Sequence, residues 1–279
     1  MALHFTCSRE IIEEAIKEMK NNNKISQEAF FNPNAIDGYR KEVAYRDMDF
    51  LEYLGFCSEE KIVNSALNIL KGNHLISQEA SYNKEFFLEL RSEVKMKFVG
   101  DWGTITPALE RLLYMFSSVK RPKKILAIGI FWGNAFIWNV GSSCGKGKVY
   151  EANKIYGVDI DPEAVRKAKG NINKLNGIQN ISIVEDDGVS FVKNIDATFD
   201  YLYLDVGISK IEKAINYKIL KEVYSKLEHG AWIIAHDTTH PFYRESFKKY
   251  LEFVRNKEFF SESICFDFDS YGLELSIKV

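Results

Sequence analysis

The chain lacks several features that would place it in an obvious functional class. Its four cysteines, Cys7, Cys57, Cys144 and Cys265, lie far apart and form no Cys-x-x-Cys pair, so neither a zinc site nor a disulfide framework is indicated and inert thiols are expected. Positive charge is not in excess: 37 Lys and Arg against 39 Asp and Glu leave a formal net charge of −2. A surface that tracks a phosphate backbone needs the opposite balance, so nucleic acid is not an expected partner. No apolar run approaches the roughly 20 residues needed to cross a bilayer, and the segment from Met1 to Glu14 has neither the basic nor the continuous apolar stretch of a secretory signal. The expectation is a cytoplasmic protein with no membrane partner.

What the chain does have is 279 residues, 46% of them hydrophobic, enough for an α/β domain and a smaller companion. Helical patterning rich in Glu, Lys and Asn fills residues 1–100, and residues 101–279 alternate β-branched runs with amphipathic stretches, which sets an expected boundary near Gly100. The first part contains a loose internal repeat. The stretch from Cys7 through Ile25 to Ala29 returns as Cys57 through Ile76 to Ala80, and Arg40 to Val43 returns as Arg91 to Val94. Two copies of a helical unit of about 50 residues would each bury an apolar face on the other, with Ser8 and Ser58 as N-caps. Such a small all-α domain could serve as a lid, shape a substrate pocket or carry a homodimer contact.

The second part predicts a doubly wound, mostly parallel seven-stranded sheet of Rossmann-like type. Its strands are expected at Ile125–Ile128, Ile155–Val158, Ile181–Val184, Tyr201–Leu204 and Trp232–Ala235, with Ser263–Phe268 and Leu273–Lys278 as an antiparallel terminal hairpin. Apolar stripes at Val165, Ala168, Ile172 and Leu175, and at Ile211, Ala214, Ile215, Ile219 and Val223, mark helices between strands. Open sheets of this kind bind ligands beyond the carboxyl ends of their strands, so those loops hold the candidate site.

After the first strand comes Gly129-Ile130-Phe131-Trp132-Gly133, where glycine lets the backbone approach a ligand or simply makes a tight turn. The second strand ends on Asp159, placed to accept ribose hydroxyls, followed by Ile160 and by Asp161, which reads as an N-cap before Pro162. Asp187 and Gly188 follow the third strand, Asp187 within reach of an adenine amino group. Asp205 ends the fourth strand, and His236, Asp237 and His240 follow the fifth. Carboxylates converging from neighbouring strand ends indicate either a hard metal ion or acid/base work.

Taken in order, these segments resemble the class I S-adenosylmethionine-dependent methyltransferases, and more closely the O-methyltransferase branch that includes the catechol and caffeoyl-coenzyme A enzymes. The match runs from Asp101 to Val279 and includes Thr106 to Leu113 and the closing Gly272 to Leu275. The resemblance implies S-adenosyl-L-methionine as cofactor, with Gly129 and Gly133 flanking its methionine part, Asp159 on the ribose, Asp187 and Gly188 bordering the adenine, and Ile130, Phe131, Ile160 and Asp205 also among the cofactor-binding positions. It implies methyl transfer to a small molecule, with Asp205, His236, Asp237 and His240 as catalytic candidates and Lys210 and Tyr243 behind them. It also implies Mg2+ on Asp205 and Asp237. Two positions depart from that branch: Ala127 stands where an acidic residue is usual, and Thr238 where the third metal ligand would be. His236 and His240, four residues apart, are alternative ligands. Phe131, Trp132 and Phe136 are candidates for an apolar pocket wall. Two other readings stay open: transfer of the cofactor's aminocarboxypropyl arm, as in nicotianamine-synthase-like proteins, and a catalytically silent interaction module.

Overall fold

The β-branched runs of the second half all become strands of a single sheet, and the helices between them cover both of its faces. This is a computed structural model, and it describes residues 3–6, 48–99, 105–207, 213–268 and 271–279. Strand β1 is Leu3–Thr6, followed by helices α1 (Met48–Gly72), α2 (Lys84–Lys97) and α3 (Pro107–Lys120). The α/β unit continues with β2 (Lys124–Ile128), α4 (Asn134–Val140), β3 (Lys154–Asp159), α5 (Pro162–Ile172), β4 (Ile181–Glu185) and α6 (Gly188–Asn194). It closes with β5 (Phe199–Leu204), α7 (Ile215–Val223), β6 (Leu227–His236), α8 (Arg244–Val254), β7 (Phe260–Asp267) and β8 (Leu273–Lys278).

The strand order is β1-β7-β8-β6-β5-β2-β3-β4. Strands β2 to β6 run parallel, and β8 is antiparallel to both β6 and β7, which makes the expected terminal hairpin. All seven expected strands form. An eighth, β1, joins in parallel beyond the hairpin, with Leu3 opposite Ile264. Four residues are too few to show a readable alternation, so this edge is not legible from the sequence.

Side chains alternate across the sheet, and this divides the core in two. Ile125 and Ala127 of β2 face one cluster, together with Tyr201, Tyr203, Trp232 and Ile234. Leu126 and Ile128 face the other, with Leu202, Leu204, Phe191, Ile219 and Phe247. The chain leaves β2 in one direction through β3 and β4, then returns to lay β5 on the opposite side of β2. The strand order therefore reverses between β2 and β5, and a crevice opens at their carboxyl ends.

The described helices of the first part belong to the same core. Val63, Ala66 and Leu70 of α1 and Phe87, Leu90 and Val94 of α2 are fully buried in one cluster with Leu109, Leu112 and Tyr114 of α3. Helix α3 starts as its sequence suggests, with Thr106 accepting the Leu109 N–H at 3.2 Å and Pro107 in the first turn. Buried charges fasten the joint. Glu59 accepts from Arg91 at 3.0 Å and from Arg111 at 2.9 Å, while Glu110 pairs with Arg91 and Lys95, each at 3.1 Å. Burial pushes the Glu110 carboxyl upward, and the two cations oppose it.

One N-cap is corrected. Ser58 lies inside α1, which begins ten residues earlier at Met48, because the apolar periodicity extends back through Leu51 and Leu54. The first copy of the repeat, Ser8, Arg40 to Val43, and the boundary residue Gly100 lie outside the described residues.

Candidate active site

The site begins with the turn after β2. Gly129 has φ +83°, and a Cβ there would strike the backbone carbonyl of Asp205 on the neighbouring strand, so close approach of two strand ends requires glycine at this position. Gly133 caps α4 with φ +91° and packs toward Ala168 of α5; it shapes the turn and does not line the crevice. Between them, Phe131 is held at φ +46°, an uncommon backbone state for an aromatic residue. Its N–H donates to Asp159 Oδ2 at 2.7 Å, and Asp159 Oδ1 accepts from the Asp161 N–H at 3.1 Å. Asp159 thus ties the glycine turn to the end of β3, a structural role the sequence did not reveal.

These loops enclose a cleft of about 450 Å³. Of the residues expected to hold a cofactor, Gly129, Phe131, Asp159, Ile160, Asp187, Gly188 and Asp205 line it. Ile130 instead points into the core, and Phe136 is fully buried there. Phe131 is 43% exposed and stacks on Trp132 at 5.0 Å between ring centres, with the Lys167 ammonium 3.5 Å from the Trp132 ring centre. Asp187 caps α6 by accepting the Ser190 N–H at 2.9 Å, and Asp161 caps α5 as expected, accepting from Glu163 at 2.8 Å. Asp161 and Asp186 add to the wall, so five aspartates and no lysine or arginine line the cleft among the described residues.

At its inner end the cleft meets a cluster of polar groups. Asp205 Oδ1 accepts from Lys213 Nζ at 2.7 Å, and Oδ2 lies 3.1 Å from His236 Nδ1 and accepts from the Tyr203 hydroxyl at 3.3 Å. Asp237, at φ +65° just past the end of β6, turns its carboxylate back so that Oδ2 meets the same Lys213 Nζ at 2.6 Å. Aspartate tolerates this left-handed backbone better than most residues. Asn216 braces the loop. Its side chain accepts the Val206 N–H at 3.1 Å and donates to the carbonyls of Val206 at 2.8 Å and Lys213 at 2.9 Å.

The charges of this cluster depend on one another. Burial pushes the Asp205 carboxyl up, but the Lys213 ammonium, His236 and their hydrogen bonds outweigh it and hold the group well below the usual carboxylate range. Lys213 is the mirror case: burial opposes its charge, the two carboxylates restore it, and it is held above the ordinary lysine value. Tyr203 is pushed far up by burial and by the adjacent carboxylates, so it stays a hydroxyl.

Asp205, His236 and Asp237 each offer a ligand atom, all within 4.8 Å of one another. A Mg2+ ion would need those carboxylate oxygens at about 2.0–2.1 Å. The Lys213 ammonium already lies between them, so the donor set as built does not fit a divalent ion. His240 is outside that group: its Nδ1 accepts the Phe242 N–H at 3.2 Å, and its ring packs on Tyr243 and Tyr271. Thr238 is buried, and its hydroxyl finds no hydrogen-bond partner among the described residues. Tyr243 presents its ring to Lys213 at 5.3 Å, and Lys210 lies outside the described residues. Ala127 is a core residue facing the first cluster.

A sheet of this order with a cleft at its switch point is the class I S-adenosylmethionine-dependent methyltransferase fold, and solved structures agree. A Bacillus cereus O-methyltransferase in complex with SAH superposes with a TM-score of 0.52 at 13% identity, covering 78% of this chain and 100% of that one. SAH-bound Podospora anserina methyltransferase PaMTH1 gives 0.54 at 13% identity over 79% and 96%. The Streptomyces achromogenes O-methyltransferase TomG, in complex with SAM, gives 0.52 at 11% identity over 79% and 98%. Within this class the chain belongs to the spermine/spermidine synthase domain family, whose model matches residues 114–266, more than half of its length. A Sulfolobus acidocaldarius protein named as a probable cobalt-precorrin-6B C(15)-methyltransferase (decarboxylating) is 27% identical over 124 residues, 41% of this chain. The chain spans 60% of the length of that curated relative.

Proposed function

We propose that the chain is an S-adenosylmethionine-dependent methyltransferase acting on a hydroxyl group of a small molecule. The observation that carries this reading is the cleft at the strand reversal, lined among the described residues by five aspartates and no lysine or arginine, with Asp205 in its wall. Such a wall repels a pyrophosphate and suits a nucleoside that carries positive charge. Gly129 supplies the close backbone approach. Asp159 uses one lone pair of each oxygen on the Phe131 and Asp161 N–H groups, and a carboxylate has about four acceptor sites, which leaves room for both ribose hydroxyls. Asp187 and Gly188 border the adenine in this arrangement.

Bound S-adenosylmethionine would supply an electrophilic methyl group on its sulfonium. The chain's own part is to align the acceptor and take its proton. Asp205 faces the cleft as a firmly ionised carboxylate and holds the acceptor hydroxyl. His236, gripped at Nδ1 by Asp205, carries its basic lone pair on Nε2 when Nδ1 is protonated, the tautomer suited to a base. Asp237 and Lys213 fix the charge around that pair.

Calorimetry with S-adenosylmethionine and S-adenosylhomocysteine tests the cofactor, and product mass on a panel of acceptors tests the reaction. Failure of the folded protein to bind either nucleoside sinks the proposal. Membership of the spermine/spermidine synthase family supports a second reading, transfer of the cofactor's amine-bearing arm. A product heavier by that arm, and not by one methyl group, would decide for it.

A further inference from the structure

We infer that Lys213 is the resident cation of this site: its ammonium stands between Asp205 and Asp237 in the place of a divalent metal, and it positions Asp205 and His236 without one. The inference rests on the site reading above, but not on which group is transferred.

The geometry is specific. Nζ lies 2.7 Å from Asp205 Oδ1 and 2.6 Å from Asp237 Oδ2, so one ammonium bridges two carboxylates that arrive from different strands. The bridge is enclosed, with the lysine side chain 8% and the two carboxylates 19% and 10% exposed. Mg2+ dehydrates reluctantly and keeps several waters, and a site this closed has little space for them. The backbone of the lysine is itself held, because Asn216 donates to its carbonyl and to that of Val206. Thr238, following Asp237, offers a hydroxyl where a third anionic or amide ligand would be expected. With Lys213 charged, the two carboxylates keep a single net negative charge beside His236. A divalent ion added there would meet a cation already hydrogen-bonded to both of its ligands.

The test is Mn2+ binding by the full chain, read from the electron paramagnetic resonance signal of free Mn2+. Wild-type protein is expected to leave that signal unchanged. Lys213→Met exposes two carboxylates and an imidazole without a counter-ion and is expected to bind Mn2+ at least about tenfold more tightly than wild type, since an unpaired buried charge recruits a cation strongly. Lys213→Arg keeps the positive charge and should still refuse the metal, a distinction that loss of packing alone would not produce. If Lys213→Met does not fold, Lys213→Gln, which retains a donor for both carboxylates, takes its place. Wild-type protein that binds one Mn2+ per chain overturns the inference, as does a folded neutral variant with no gain in affinity. Absence of S-adenosylmethionine binding by wild type would remove the functional reading above and leave the metal result standing, so the two failures are distinguishable.

Discussion

Replacing Asp205 with asparagine removes one charge from the centre of the site while keeping its shape. In the native protein this carboxylate accepts charge-assisted bonds from Lys213 and His236 and a weaker one from Tyr203. Charge-assisted hydrogen bonds contribute about 1.5–3 kcal/mol each, and breaking a fully buried pair costs about 3–5 kcal/mol. The side chain is 19% exposed and the asparagine oxygen can still accept one bond, so the loss at neutral pH should fall near the low end, about 2–3 kcal/mol. Because the folded carboxyl sits below its unfolded value, its contribution is fully present above an unfolded value of about 3.9 and disappears as pH falls through the lower folded value. Urea unfolding of both proteins at neutral pH and down a series into acid gives two curves. They should differ by the full amount at neutral pH and begin to converge only as pH falls below about 3.9 toward the lower folded value. A constant gap across the series, or an asparagine variant as stable as wild type at neutral pH, would refute the account of Asp205 as an ionised, doubly held carboxylate. The turnover rate should fall by about 100-fold to 10,000-fold, the usual span of the general acid–base catalysis that Asp205 supports in the proposed reaction.

Gly129→Ala places a methyl group against the Asp205 carbonyl at a left-handed φ, so nucleoside binding measured by calorimetry should be lost and the melting temperature should drop. Phe131→Ala removes a half-exposed ring at the mouth of the cleft; cofactor affinity should weaken by about tenfold, the equivalent of 1.4 kcal/mol, with little change in thermal stability. Arg111→Met leaves Glu59 paired with Arg91 alone among the described residues and takes the donor from the Tyr82 hydroxyl, at a cost of about 2–4 kcal/mol in denaturant unfolding. Glu60→Ala, which breaks only the exposed pair with Lys84, should change stability by less than about 1 kcal/mol.

The sheet was legible because β-branched runs bounded by turn residues leave few alternatives, and the parallel order then fixed where the loops had to meet. That logic places Gly129, Asp159, Asp187 and Asp205 around one cleft, and all four line it. It did not give their present partners. Asp159 and Asp187 both bind backbone N–H groups, a use that depends on how the following loops fold back. Lys213 was not legible, since nothing in its flanking residues separates it from the neighbouring Lys210 and Lys218; its place between two strand ends is set by tertiary contacts with Asp205 and Asp237. His236 and His240 share a spacing that suits a common ligand, yet the short turn at Pro241–Tyr243 sends the second ring into an aromatic stack.

The buried contacts of α1 and α2 with α3 bear on how the molecule melts. Phe87 and Leu90 press on the same cluster as Tyr114 and Trp138, and the ring of Phe87 lies 5.2 Å from Tyr114 and 5.9 Å from Trp138. Trp138 stands on α4, the helix that opens with the glycine turn of the cleft. Stability of the helical segment and order at the cleft are therefore coupled through one aromatic seam. A ligand seated against Gly129 would raise hydrogen-exchange protection as far away as α2, and loosening α2 would weaken the grip on the ligand by the same free energy.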